Sequence, residues 1–172
     1  MSERVFLVGL MGSGKSTVGR LLAGELDRPY VDNDATIAAL AGRSTVDLAR
    51  AGGTTLHEWE ARYAQHLVQA QPAPFVAGVP ASSGDRPDEL DALAATGLLV
   101  YLDVPVDVLV ERVLADPPRP WLTESPGPLL RRLHASRHEV LRRHSTLVVD
   151  GTRAPALVAG EVLAALPGAG RR

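Results

Sequence analysis

Between a short apolar run, Arg4 to Val8, and a helical pattern of apolar residues at Val18, Leu21, Leu22 and Leu26 lies Gly9-Leu10-Met11-Gly12-Ser13-Gly14-Lys15-Ser16-Thr17. The segment satisfies G-x-x-x-x-G-K-[ST] and has the strand before it and the helix after it that give this motif its meaning. Glycines let the backbone wrap phosphate oxygens with its N–H groups, and the helix N-terminus adds a favourable dipole. Lys15 neutralises phosphate charge, and the Ser16 hydroxyl suits a Mg²⁺ ion bridging phosphate oxygens. Gly12, Ser13, Gly14, Lys15, Ser16 and Thr17 are therefore expected to hold a nucleotide, with ATP and Mg²⁺ as the cofactors. Of the 18 basic residues apart from histidine, 17 are arginine, and the single lysine falls in this loop. A compact ammonium fits between phosphates where a planar guanidinium does not.

The loop fixes the opening of the fold as strand, glycine turn, helix, and the rest of the chain continues in kind. Pro29 to Val31 reads as a second extended segment, Ala35 to Ala41 and Val46 to Ala51 as helices, and Gly52 and Gly53 as a break before a helix over Leu56 to Gln69. Pro74 to Ala77 and Leu98 to Asp103 read as buried strands separated by a helix over Pro87 to Ala95. Pro105 opens a further helix. Five prolines between Ala115 and Pro128 exclude continuous helix or central strand, which predicts a loop there. Leu129 to His144 is an Arg-rich amphipathic helix, Thr146 to Val149 a fifth strand and Ala154 to Leu166 a terminal helix. Short apolar strands alternating with helices indicate a central parallel sheet of about five strands flanked by helices, a three-layer α/β P-loop domain carrying a lid loop.

A chain of 172 residues with this alternation is expected to be one domain, 1–172, with its lid over 115–126. The net charge of −2 gives no general attraction for nucleic acid or anionic lipid, so anion binding must be local. Without cysteine there is no disulfide framework, thiolate metal site or thiol nucleophile. The N-terminal apolar run breaks at Gly9, too early for a signal-peptide core or a membrane span, and a cytoplasmic location is expected. His66, His134, His138 and His144 lack metal-site spacing. No N-K-x-D guanine motif is present.

Asp32 and Asp34 leave the end of the second strand, on the edge where open α/β sheets bind ligands. Carboxylates there suit a metal ion and an attacking hydroxyl; a solvated turn with helix-capping aspartates fits the same spacing. Arg119 lies in the proline-rich loop, where a lid could exclude water and bring a cation to the transferring phosphoryl group. Arg112, on the preceding helix, could assist it.

Taken together, Gly9 to Thr17, Val31-Asp32-Asn33-Asp34, Gly52 to Glu60, Arg119-Pro120-Trp121-Leu122 and Arg137 give a chain that resembles the shikimate kinase family over nearly its whole length. The resemblance implies ATP- and Mg-dependent phosphoryl transfer to a hydroxyl of shikimate or a related polyhydroxylated compound. It places a metal role on Ser16 and Asp32, catalysis on Lys15, Asp34 and Arg119, and nucleotide contacts on the loop together with Arg112, Arg119 and Arg153. Substrate contacts fall on Asp34, His57, Gly78 and Arg137. Where the family has an arginine gripping the substrate carboxylate this chain has His57, which offers no bidentate fork. Where the family has three glycines it reads Ala77-Gly78-Val79-Pro80, so a pocket floor of different shape is expected, and Gly53 stands in place of a glutamate. An ATP-binding regulatory protein that has lost catalysis is the alternative these departures raise. The expected partner is a small-molecule acceptor, with no nucleic acid or membrane, and the expected state a monomer or weak dimer.

Overall fold

The computed structural model describes residues 4–70, 73–116 and 124–166. Val5–Val8 form β1, and all four side chains are fully buried. Their alternation sorts them onto two faces: Val5 and Leu7 join one core cluster, Phe6 and Val8 another. The remaining strands are β2 (Tyr30–Val31), β3 (Val76–Gly78), β4 (Leu98–Asp103) and β5 (Leu147–Asp150), and the sheet runs β2-β3-β1-β4-β5 with every pair parallel. Eight α-helices flank it among the described residues: α1 (Lys15–Leu26), α2 (Asn33–Ala41), α3 (Thr45–Arg50), α4 (Gly53–Gln69), α5 (Pro87–Thr96), α6 (Val106–Ala115), α7 (Pro126–His144) and α8 (Pro155–Ala165).

Helices α1 and α8 cover one face of the sheet through Val18, Leu22, Val158 and Val162. Ile37, Leu48, Tyr63, Leu67, Leu90, Leu93 and Leu141, from α2, α3, α4, α5 and α7, cover the other. A third cluster, Leu10, Val104, Leu109, Val113 and Leu130, packs the glycine loop onto α6 and α7. From central β1 the chain crosses to β2 on one side, and β4 and β5 add on the other. The order reverses at β1, so the cleft that opens there at the carboxyl ends of the strands begins at the glycine loop.

Three local departures from the sequence reading have simple causes. Gly53 begins α4 rather than ending a break, with Gly52 alone in a conformation of positive φ, 128°. Helix α7 starts at Pro126, three residues before the predicted Leu129, because prolines in a first turn sacrifice no intrahelical hydrogen bond. A 3₁₀ turn over Ala81–Asp85 follows β3, where no element was expected.

Gly97 shows how tightly the layers meet. The chain leaves α5 and enters β4 against β1, and a Cβ there would lie 2.7 Å from the Arg4 carbonyl oxygen and 2.8 Å from the Phe6 ring. Backbone cannot yield as a side-chain tip can. Gly97→Ala is expected to lower the unfolding free energy by about 1–3 kcal/mol, read as a shifted midpoint in urea with an unchanged slope.

Candidate active site

The glycine loop is built for an anion. Gly12 and Gly14 hold φ of 84° and 95°, and a Cβ on Gly12 would also press to 3.0 Å on Val113 and 3.2 Å on the Leu109 carbonyl oxygen. Only glycine satisfies both demands. Helix α1 then begins with no side-chain cap and no acidic residue in its first turn, which leaves its positive end for a ligand. Lys15 Nζ bends back over the loop, donating to the carbonyls of Gly9 at 2.7 Å and Leu10 at 3.3 Å. Arg112 ties the loop to the turn after β5, donating to Gly12 O at 3.2 Å and Gly151 O at 3.0 Å.

A cleft of about 790 Å³ runs from this loop past the end of β2 to α4, the 3₁₀ turn and α7. Its phosphate-loop end is lined by Gly12 to Thr17, Arg112 and Arg153, and its far end by Asn33, Asp34, His57, Glu60, Ser82 and Arg137. Glu60 Oε2 accepts from Ser82 Oγ at 2.6 Å and sits 2.7 Å from His57 Nδ1, so α4 and the 3₁₀ turn are joined by one carboxylate. Arg137 reaches the wall from α7 with its side chain only 9% exposed, and its Nε and Nη2 donate to Asp85 at 2.9 and 2.5 Å.

Asp32 caps α2. Its Oδ1 accepts from the backbone N–H groups of Asp34 at 3.1 Å and Ala35 at 3.2 Å, and its Oδ2 lies 3.5 Å from Arg20. Asn33 and Asp34, the first residues of the helix it caps, reach the cleft wall, whereas Asp32 does not. Burial raises the pKa of the neighbouring Tyr30 phenol; the Ser16 hydroxyl acts against that rise, and the Asp32 and Asp34 carboxylates add to it. The Ser16 hydroxyl and the two aspartates thus share one neighbourhood. Among the described residues no group of three or more His, Cys, Asp or Glu side chains could cage a metal.

The cleft gathers the loop residues with Asp34, His57, Arg112, Arg137 and Arg153. Gly78 and Val79 stand elsewhere. Strand alternation turns Val79 into the core, where it is fully buried, so it does not reshape a pocket floor as expected; only Pro80 of that pair reaches the cleft. Gly78 is small for a different reason: a Cβ there would meet Tyr30 Oη at 2.9 Å and Asn33 Oδ1 at 3.3 Å. Its carbonyl accepts from the buried Tyr63 hydroxyl at 2.8 Å. Arg119 and most of the 115–126 segment lie outside the described residues. Ser82 and Asp85 were not singled out from sequence, because the turn that carries them has no helical or strand periodicity.

The model of the family described as "Shikimate kinase" matches residues 11–167. A shikimate kinase of Oleidesulfovibrio alaskensis is 36% identical over 177 aligned positions, covering 98% of this chain and 99% of its own. That of Synechococcus elongatus is 33% identical over 168 positions, covering 95% of this chain and 86% of its own. Among solved structures, shikimate kinase from Acinetobacter baumannii in complex with shikimate superposes with a TM-score of 0.81 at 27% identity, over 94% of this chain and 90% of that one. With the glycine loop, Asp34 after β2 and the basic residues Arg112 of α6 and Arg137 of α7 converging on one cleft along the matched length, the chain belongs to the shikimate kinase family.

Proposed function

We propose that this protein transfers the γ-phosphoryl group of ATP to a hydroxyl of shikimate. The carrying observation is that one cleft joins an uncapped, glycine-built helix N-terminus bearing Lys15 to a far end bearing Asp34, Glu60 and Arg137. A polyanion fits the first end and a small polar acceptor the second. Relatives and solved structures named for this activity over nearly the whole chain favour shikimate over the wider set of polyhydroxylated acceptors.

In the reaction the acceptor hydroxyl oxygen forms a bond to the γ-phosphorus, and the bond from that phosphorus to the β,γ-bridging oxygen breaks. ADP leaves with the electron pair, and the hydroxyl proton passes to Asp34. The backbone N–H groups of residues 12–17 and the Lys15 ammonium stabilise charge on the phosphates. Mg²⁺, when bound, supplies Lewis-acid neutralisation of phosphate charge. Ser16 would hold it directly, and Asp32, whose Oδ2 faces Arg20, would have to release that contact to join it. Arg112 and Arg153 flank the nucleotide end, and Arg119, outside the described residues, would add its positive charge to theirs on the phosphates. The whole chain, 1–172, acts as one cytoplasmic kinase domain, a monomer or weak dimer. No helix among the described residues is long and apolar enough to cross a membrane.

The reading is tested by release of ADP from Mg-ATP across shikimate, quinate, gluconate and cyclitols. Shikimate should give the highest kcat/KM, and a faster reaction with gluconate or a cyclitol would overturn the choice of acceptor. Asp32 caps α2, and the metal role proposed for it makes a separate expectation. Asp32→Asn keeps a capping oxygen, so α2 should persist by circular dichroism while the Mg²⁺ concentration for half-maximal rate rises several-fold. An unchanged Mg²⁺ titration would reduce Asp32 to a helix cap.

A further inference from the structure

Arg137 is the basic residue at the acceptor end of the cleft, and how its guanidinium is held decides what it offers. Its stem lies over Gly84, where a Cβ would come within 3.0 Å of Arg137 Cβ and 3.1 Å of its Cγ. Its side edge, Nε with Nη2, is taken by both oxygens of Asp85. Asp85 is absent from the cleft wall and its side chain is 47% exposed, whereas Arg137 itself lines the cleft. The edge committed to Asp85 therefore faces away from the ligand space. The other edge, Nη1 with the second N–H of Nη2, remains, and it matches a carboxylate in the same two-point fashion.

From this geometry we infer that Asp85 is a positioning residue for acceptor specificity. By fixing the side edge of Arg137, it presents the end edge to the carboxylate of a carboxylated acceptor. A guanidinium pinned along one edge keeps its plane and its χ angles, so little side-chain freedom is lost when the second carboxylate arrives. Gly84 supplies the space and Asp85 the orientation; neither touches the acceptor. This assignment rests on the reading of the cleft as a shikimate site and adds to it the residue that tells an acid from its neutral analogue.

The test compares shikimate with the analogue whose carboxylate is reduced to a hydroxymethyl group. Asp85→Ala should raise KM for shikimate roughly tenfold, the loss of a charge-assisted hydrogen bond. KM for ATP, kcat and KM for the hydroxymethyl analogue should stay within about twofold, since none of them uses the Arg137 end edge. Asp85→Glu, which can still bracket the side edge, should recover much of the loss. If Asp85→Ala proves poorly folded by thermal melting, Asp85→Asn, which keeps the size and one acceptor oxygen, is read in its place and should show a smaller shift of the same sign. A KM that rises equally for acid and alcohol would make Asp85 a structural brace only. An unchanged KM for shikimate would show that Arg137 needs no positioning, and a lowered one that Asp85 competes with the acceptor; each overturns the inference. No acceptor-dependent turnover by the unaltered protein on either compound would remove the shikimate reading itself, and this assignment with it.

Discussion

Lys15→Ala is expected to lower kcat for phosphoryl transfer by roughly a thousandfold or more, equivalent to about 4 kcal/mol of transition-state stabilisation. In the structure Lys15 Nζ is held over the loop by the Gly9 and Leu10 carbonyls, so the ammonium already stands where phosphate charge would gather. Lys15→Arg should recover little. The forked guanidinium is broader than the ammonium, and in a chain otherwise composed only of arginine among its long basic residues, lysine at this one position reflects that size limit. Both variants should melt with wild-type cooperativity, because the loop's shape is set by Gly12, Gly14 and the packing of Leu10 against Leu109 and Val113. Near wild-type turnover in Lys15→Ala, at saturating ATP and acceptor, would show that the loop binds without contributing to the chemistry.

His57→Arg should carry the second largest effect, in the opposite direction. His57 is about half exposed at the acceptor end of the cleft, with its Nδ1 beside Glu60 Oε2. An imidazole offers its two nitrogens to different partners, so it cannot hold both oxygens of a carboxylate from one side. An arginine at this position would be oriented by Glu60 one turn along α4 and would turn a fork toward the acceptor. A charge-assisted pair of that kind contributes about 1.5–3 kcal/mol, so KM for shikimate should fall roughly ten- to a hundredfold while KM for ATP scarcely moves. The hydroxymethyl analogue should show no gain. If shikimate responds no more than the analogue does, residue 57 does not face the carboxylate, and recognition of that group rests on Arg137 alone.

The nucleotide half of the site was legible in the sequence because its chemistry is local. One run of nine residues, flanked by the right periodicities, specifies strand end, glycine turn and helix start together, and the structure reproduces those three. The β4 boundaries, Leu98 and Asp103, were likewise read off an uninterrupted apolar run. The acceptor half depends on which way side chains leave short irregular segments, and period counting does not reach that. Val79 follows β3 into the core and not into the cleft, because alternation continues one residue past the strand's last ladder position. Asp85 and Ser82 act from a five-residue 3₁₀ turn whose partners, Arg137 and Glu60, lie 52 and 22 residues away in sequence. Asp32 shows a third kind of shortfall: spacing alone allowed a metal neighbour or a helix cap, and the structure shows the cap formed by one oxygen with the other directed elsewhere.

The central claim is that this cleft performs acceptor-dependent phosphoryl transfer and does not merely hold a nucleotide. Its most direct measurement is ADP release from Mg-ATP by the unaltered protein, with and without shikimate, with the product examined by phosphorus NMR. Release that depends on shikimate, saturates with it and yields one phosphate monoester per ADP is the predicted result. Tight ATP binding with ADP release indifferent to shikimate, and no new monoester signal, would contradict it and leave a regulatory nucleotide-binding protein in its place.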